Sequence, residues 1–274
     1  MNLPAFLRTP AARRATRIAL WGAVALLFLQ TLLELRFFTD DRFARGLRYL
    51  PEFLAGFFPP NLSDPVVQEL MTGLKETIQM AFVGTLLGAI LAVPMAVLAT
   101  RTLAGTVVSQ AVRLLLAFVR TIPTLIWALF FVVLFSFGPI PGVLGLAVYT
   151  LGYLGKLYYE TLEGLDPDVL EAVRATGASR LQLVRFAAIP EAANALLSHL
   201  LYVFEYNVRA SSILGFVGAG GIGFYMARYL DHMQYQKLTT AILFLLVVVV
   251  AIDLTSRFVR KRFLLAPEAA GGNG

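Results

Sequence analysis

Between residues 114 and 155 the chain carries a single charged residue, Arg120. This apolar stretch is longer than one membrane-spanning helix, which needs about 20 residues. Residues 137–142 (Phe-Gly-Pro-Ile-Pro-Gly) interrupt it with two prolines and two glycines, which do not continue a helix. The stretch therefore predicts two membrane helices that meet in a tight, uncharged hairpin.

Four further apolar runs have the length of a span, and they bring the predicted total to about six. They cover residues 18–33, 77–100, 192–214 and 238–259. The composition agrees, since 58% of the residues are hydrophobic, 15% are charged and the mean hydropathy is +0.74. Soluble domains have about 25% charged residues. We predict an all-α membrane protein, with residues 1–70 as an N-terminal region, 71–263 as a core and 264–274 as a disordered tail.

The first run follows a cluster of arginines, which is also how a secretory signal peptide begins. No small-residue cleavage site follows it, because the sequence continues Glu34-Leu35-Arg36. We interpret the run as an uncleaved first helix. Residues 38–58 then mix aromatic and leucine residues with arginines at helical spacing. This pattern fits an amphipathic helix on the outer membrane surface and, equally, a loop packed on its own bundle.

The net charge of +6 and the pI near 9.7 do not indicate nucleic-acid binding, because the basic residues lie beside apolar runs rather than on one polar face. Six spans place both termini on one side, and that side holds the larger share of the 23 Lys and Arg. The positive-inside rule then puts both termini in the cytoplasm of an inner-membrane protein. With no cysteine and two isolated histidines, no metal cofactor is expected.

One predicted cytoplasmic segment, residues 165–190, contains strong helix signals. Asp166 suits an N-cap, Pro167 suits the first helical position and Gly177 suits a helix stop. We predict a short helix at about 166–178 that protrudes into the cytosol. Its apolar face would need a partner protein to cover it.

This segment resembles the coupling motif of ATP-binding-cassette importer permeases, which reads Glu-Ala-Ala, three residues, Gly, nine residues, Ile, one residue, Leu-Pro. The chain matches it at Glu171, Ala172, Gly177 and Pro190 and departs at Val173, Ala187 and Ile189. The resemblance implies a coupling helix that docks on an ATPase subunit, with Glu171, Ala172, Arg174, Gly177 and Pro190 in the coupling role.

Further stretches are similar to the phosphonate/phosphite branch of these binding-protein-dependent type I permeases. They include residues 120–123, 138–144, 155–156, 166–167, 171–179, 204–210 and 215–223. The resemblance implies a type I importer permease fold, a homodimer, two copies of an ATPase subunit and an extracytoplasmic binding protein. ATP and Mg would be bound by the ATPase, with no cofactor and no catalysis in this chain.

Charged residues inside spans are functional candidates, because burying them in lipid is expensive. Arg120 falls early in the predicted third span, and Glu205 and Arg209 lie four residues apart on the fifth, where they can pair. With Asn207, they form a candidate translocation path whose positive surplus suits a phosphorus oxyanion. The alternative is that both arginines only brace helices.

Gly218, Gly220 and Gly223 spell G-x-G-x-x-G, a dinucleotide fingerprint that requires a strand before it and a helix after it. Here the motif follows a membrane helix, so we interpret Gly218, Gly220, Gly221 and Gly223 as a flexible, tightly packed turn or an outer gate loop. No phosphate-binding loop for ATP is present in the sequence.

The sequence does not distinguish phosphonate, phosphite and hypophosphite as the transported solute. Permeases for methionine or an organic cation share the coupling motif and remain an alternative. A secondary transporter should show two inverted halves, and a membrane enzyme should show clustered histidines or carboxylates. Neither pattern is found in the sequence.

Overall fold

A computed structural model of the protein describes residues 10–35 and 41–264, and every regular element in these ranges is helical. The predicted all-α fold is therefore confirmed. The helices are α1 (Pro10–Glu34), α2 (Asp41–Ala55), α3 (Asp64–Ala99), α4 (Arg101–Ala104), α5 (Thr106–Thr121), α6 (Thr124–Phe135), α7 (Pro139–Glu163), α8 (Pro167–Ala175), α9 (Arg180–Leu183), α10 (Ile189–Leu214), α11 (Ile222–Asp231) and α12 (Tyr235–Val259).

The chain divides into two units, residues 1–58 and residues 59–274. In the first unit, α1 contains the predicted first span, and α2 forms the helix that the amphipathic pattern of residues 38–58 predicted. The placement of α2 on a membrane surface stays a prediction. The predicted disordered tail lies, from residue 265 onward, outside the described residues.

Five helices in the described ranges are long and apolar enough to cross a membrane. A sixth span is possible if α5 and α6 count as one, although they meet at an angle of 82°. The region of the predicted third span is therefore helical but broken at residues 122–123. Pro123 disfavours helical geometry at the preceding residue, and Ile122 takes an extended conformation with ψ of 120°. Arg120 lies in the last turn of α5, just before this break.

Small residues let α3 and α7 pack at close range in the second unit. A Cβ added to Gly84 would lie 2.7 Å from the Cβ of Leu146, and one added to Gly88 would lie 2.5 Å from the Cβ of Thr150. The spacing of Gly84 and Gly88 is the small-xxx-small pattern typical of membrane helix contacts. Without a hydrophobic driving force between helices in lipid, such close packing supplies much of the stability.

Close packing at glycine also holds α5 and α6 against α7. A Cβ on Gly145 would lie 2.9 Å from the backbone nitrogen of Ala128 in α6, and one on Gly155 would lie 2.9 Å from Leu116 in α5. The helix α7 is thus the centre of the unit, in contact with α3, α5, α6 and α10.

The predicted fifth span begins earlier than expected, because the chain is helical from Arg180 onward. Between α9 and α10, residues Val184–Ala188 form a π-helical turn, in which the backbone N–H of Ile189 donates to the carbonyl of Val184. Pro190 has no N–H for the carbonyl four residues before it, and the wider π register accommodates that loss. Pro190 therefore accounts for the π-helical turn at the start of α10.

The second unit has two ends, which are named here by their contents. At the α8 end, α7 finishes at Glu163 and leads into α8. At the glycine-loop end, α7 begins at Pro139, and the backbone N–H of Gly138 donates to the carbonyl of Gly218 at 2.9 Å. The predicted break at residues 137–142 is confirmed here, since α6 stops at Phe135 and α7 starts at Pro139.

Candidate functional site

The helix α8 occupies the position that its sequence signals predicted. The side chain of Asp166 accepts a hydrogen bond from the backbone N–H of Asp168 at 3.0 Å, which caps the helix. Gly177 follows the helix with a φ of +79°, a left-handed conformation that glycine adopts without a Cβ penalty. Glu171, Ala172 and Arg174 are all exposed.

The expectation that a partner must cover the apolar face of α8 is wrong. Leu170 is buried in a cluster that contains Leu162 of α7 and Leu183 of α9, and Val173 packs against the same cluster. The chain therefore covers the apolar face itself. The exposed residues of α8 include Asp168, Glu171 and Ala172, and these remain open to a partner.

Arg174 connects α8 to the turn between α3 and α5. Its guanidinium donates to the carbonyl of Thr102 at 3.0 Å. The neighbouring turn is fixed by Glu163, which pairs with Arg113 and accepts from the backbone N–H of Arg101 at 3.0 Å. These contacts join α4, α5, α7 and α8. Sequence reasoning missed Arg113 and Glu163, although charges are rare enough in this chain to have marked them as candidates.

At mid-bundle, Asn207 joins three helices. Its amide nitrogen donates to the hydroxyl oxygens of Thr85 in α3 and Thr150 in α7, both at 2.8 Å. All three side chains are buried. Within the part of the chain that the structure describes, the oxygen of the Asn207 amide has no hydrogen-bond partner. Asn207 thus lies inside the protein between α3 and α7, and Thr85 and Thr150 were not singled out from the sequence.

The predicted pairing of Glu205 with Arg209 is confirmed, with 3.0 Å between the carboxylate and the guanidinium. The Glu205 side chain is 8% exposed, whereas that of Arg209 is 50% exposed. The second carboxylate oxygen of Glu205 lies 3.7 Å from the guanidinium of Arg260, a contact that the sequence did not predict. One buried carboxylate therefore faces two guanidinium groups, and this group of three side chains carries a net positive charge.

Arg209 lines a groove of about 340 Å³ between α6 and α10. The groove begins at the break after α5, where Pro123 and Thr124 line it, and Tyr206 contributes an aromatic ring. The remaining lining is aliphatic, from Leu125, Ala210, Ile213 and Leu214.

No contact among the described residues joins Arg120 to Glu205, Arg209 or Arg260. A Cβ added to Gly152 of α7 would lie 3.3 Å from Cγ of Arg120, so the side chain lies against α7. Among the residues that the structure describes, its guanidinium has no ion pair, and its side chain is partly exposed.

The glycine loop, residues 218–221, is tightly packed, as predicted. Gly218, Gly220 and Gly221 all have positive φ angles. The N–H of Gly221 donates to the carboxylate of Glu76 at 3.0 Å, and that of Ile222 donates to the hydroxyl of Thr77 at 2.8 Å. A helix does follow the loop, but a 3-10 turn precedes it instead of a strand, so the nucleotide-binding arrangement is absent at this motif.

The helix α11 after the loop was not predicted, and a small polar cluster attaches it to α3. Glu69 accepts hydrogen bonds from the hydroxyl of Tyr229 at 2.6 Å and from Arg228 at 2.7 Å. Burial, with a further contribution from Glu69, raises the pKa of Tyr229 to about 12. The hydroxyl therefore stays protonated, and remains a donor, at any ordinary pH.

The long apolar helices and the buried polar contacts between them define a helical membrane protein with several spans. The family described as "Binding-protein-dependent transport system inner membrane component" matches residues 84–264, and the chain belongs to it.

Two bacterial relatives come from Stutzerimonas stutzeri. HtxC, which is assigned by name to phosphite transport, is 36% identical over 82% of this chain and 79% of its own length. The phosphite transport system permease protein PtxC is 34% identical over 80% of this chain and 79% of its own. A solved structure of the MetNI methionine ABC transporter in an inward-facing conformation has a similar chain, with a TM-score of 0.65 and 26% identity. The aligned part covers 73% of this chain and 98% of the MetNI chain. The predicted type I importer permease fold is confirmed.

Proposed function

We propose that the protein is the membrane-spanning subunit of an ATP-driven importer and translocates a phosphorus oxyanion, namely phosphonate, phosphite or hypophosphite. The observation that carries the proposal is the excess of guanidinium over carboxylate at Glu205, Arg209 and Arg260, beside an open groove. Guanidinium groups bind tetrahedral oxyanions through paired hydrogen bonds. The names of HtxC and PtxC agree with this solute class.

In the proposed assembly, two copies of the chain bind two ATPase subunits, and an extracytoplasmic binding protein delivers the solute. ATP and Mg are bound by the ATPase, and both termini of this chain lie in the cytoplasm. The exposed face of α8, with Glu171 and Ala172, is the docking surface. Arg174 positions α8 from within the chain, since its guanidinium already bonds to Thr102.

The proposed path follows the polar residues of α10. Arg209 contacts the anion from the groove, Glu205 orients Arg209, and Asn207 holds α10 against α3 and α7. Arg120 is the second cationic contact, at the end of α5. The glycine loop forms the outer gate.

The experiment is ATP-driven uptake in proteoliposomes that contain the chain with its ATPase and binding protein. Radiolabelled phosphite, methylphosphonate and hypophosphite are each compared with phosphate, methionine and choline. Arg209→Gln should abolish most of the uptake and leave basal ATP hydrolysis in place. Arg257→Gln is the matched control, because Arg257 also pairs with an acid four residues away but lies on an exposed face of α12.

Three results would contradict the proposal or a part of it. Transport of methionine or choline in preference to the phosphorus oxyanions would favour the alternative solutes of this permease family. Uptake by the chain without any ATPase would identify a secondary transporter. Unchanged uptake by Arg209→Gln would remove the anion-contact role and leave Arg209 as a helix brace.

A further inference from the structure

The start of α6 presents hydrogen-bonding groups that have no partner. Thr124 is 7% exposed, and its buried hydroxyl oxygen has no hydrogen-bond partner among residues 10–35 and 41–264. The first turn of α6 has no side-chain cap. The first backbone N–H groups of any helix lack partners within the helix. Ile126 and Trp127 donate to the carbonyl of Pro123, whereas neither Thr124 N–H nor Leu125 N–H has a partner among the described residues.

Thr124, Leu125 and Arg209 line the same groove. In the hydrocarbon of a membrane, an unsatisfied polar group costs several kcal/mol, so a set of them in one place calls for a ligand. Arg209 has five N–H donors, and its one described partner, Glu205, is shared with Arg260. All of these groups can donate, and the helix N-terminus adds a positive field.

We infer that the groove between α6 and α10 contains an oxyanion subsite formed by Thr124 and Arg209 at the N-terminus of α6. The inference rests on the proposed function and adds Thr124 as a ligand-contacting residue. One anionic oxygen accepts from Arg209, and another accepts from the hydroxyl and the free N–H groups at the start of α6. A groove of about 340 Å³ has room for a small anion and several waters, each of which occupies about 30 Å³ in the liquid.

The lining also suits the substituent that distinguishes phosphite and phosphonates from phosphate. These anions carry a P–H or P–C group that accepts no hydrogen bond. Ile213 and Leu214 of α10 offer an aliphatic surface in the same groove as Thr124 and Arg209. The subsite therefore combines donors for the oxygens with an apolar wall for the remaining substituent.

The break between α5 and α6 is what creates the subsite. In one continuous helix, the N–H groups of Thr124 and Leu125 would bond to carbonyls four residues earlier. The extended conformation at Ile122 and Pro123 removes those partners, and the 82° bend accompanies their exposure to the groove. Pro123, which breaks the helix between α5 and α6, thus leaves the N–H groups of Thr124 and Leu125 free to donate.

The test uses the complete complex of chain, ATPase and binding protein, with Thr124→Val as the principal variant. Valine keeps the size of threonine and removes the hydroxyl. ATP-driven phosphite uptake should fall about tenfold, because a hydrogen bond to a charged group contributes roughly that factor. Thr124→Ser should restore most of the rate. Thr121→Val is the matched control and should transport like the wild type, since the Thr121 hydroxyl bonds to the carbonyl of Ala117 in its own helix.

A second measurement is direct binding of radiolabelled phosphite to the detergent-purified chain with its ATPase and without the binding protein. Wild type and Thr121→Val should bind, whereas Thr124→Val and Arg209→Gln should bind at least tenfold more weakly. Size-exclusion chromatography with light scattering monitors the number of copies. The assembly should be unchanged in every variant.

Three outcomes would overturn the inference. Phosphite uptake and binding by Thr124→Val equal to wild type would show that the Thr124 hydroxyl makes no contact with the anion. A changed number of copies in Thr124→Val would show that the groove is an interface between copies of the chain. If the wild-type complex hydrolyses ATP but transports no phosphorus oxyanion, the proposed function itself fails, and this result is separate from the first two.

Discussion

The α8 end and the glycine-loop end both depend on glycine, but for different physical reasons. A Cβ added to Gly177 would meet nothing within 4 Å, whereas one added to Gly223, just beyond the loop, would lie 1.8 Å from the carbonyl oxygen of Ser212. Gly177 is needed only for its backbone conformation. Gly223 is needed because two backbones meet where it lies. At the α8 end, the need for glycine comes from its own backbone conformation. At the glycine-loop end, it comes from close packing against another part of the chain.

The largest effect should come from Gly223→Ala. The new Cβ would collide with the backbone of α10, which cannot move aside as a flexible side chain could. We expect a loss of more than about 3 kcal/mol of stability, beyond the usual range for overpacking. The measurement is the yield and melting temperature of the solubilised chain.

Gly46→Ala in α2 is the control for that experiment, because no atom lies within 4 Å of its added Cβ. It should leave stability unchanged or slightly higher, since alanine favours a helix over glycine by about 0.5–1 kcal/mol. A Gly223→Ala protein as stable as the control would show that the contact between α10 and α11 is loose.

The next effect should come from Thr77→Val. This change removes the acceptor of the buried Ile222 N–H and leaves that donor unsatisfied. The expected loss is about 1–3 kcal/mol. Thr72→Val, whose hydroxyl bonds only within its own helix, is the matched control and should melt with the wild type. Equal melting of both variants would mean that the loop is not held by Thr77.

The smallest effect on global stability should come from Gly177→Ala. With free space around it, only the left-handed conformation is penalised, by about 1–2 kcal/mol. Hydrogen exchange should increase within residues 167–178, with little change elsewhere. Asparagine at this position should recover part of the protection, because it tolerates the left-handed region better than alanine. A loss as large as that of Gly223→Ala would refute the contrast between the two turns.

The difference between the two turns also explains what could be predicted. The limits of α8 followed from Asp166, Pro167 and Gly177, which act within a few residues of themselves. Pro123 carried a comparable local signal, and the break between α5 and α6 could have been predicted from it. The helix α11 was missed because its sequence lies between two stronger apolar runs.

Most polar contacts inside the bundle could not be predicted from neighbouring residues in the sequence. Glu205 and Arg209 are one helical turn apart, so their pairing was predictable, whereas Arg260 reaches Glu205 from another helix. Asn207 was selected as a path residue, but its partners Thr85 and Thr150 lie 122 and 57 positions away in the chain. Nothing in the sequence near these residues indicates such pairings.

The sequence by itself determined the membrane class, the approximate spans, the short capped helix and the family. These properties depend on hydropathy, on capping and on motif spacing, all of which act over one or two helical turns. The tertiary structure alone decided that α7 and α9 cover the apolar face of α8, that Glu205 lies between two arginines, and that Thr124 and Arg209 share a groove. Those arrangements depend on which helices pack together, and in lipid that choice is made by small residues and buried polar contacts between distant parts of the chain.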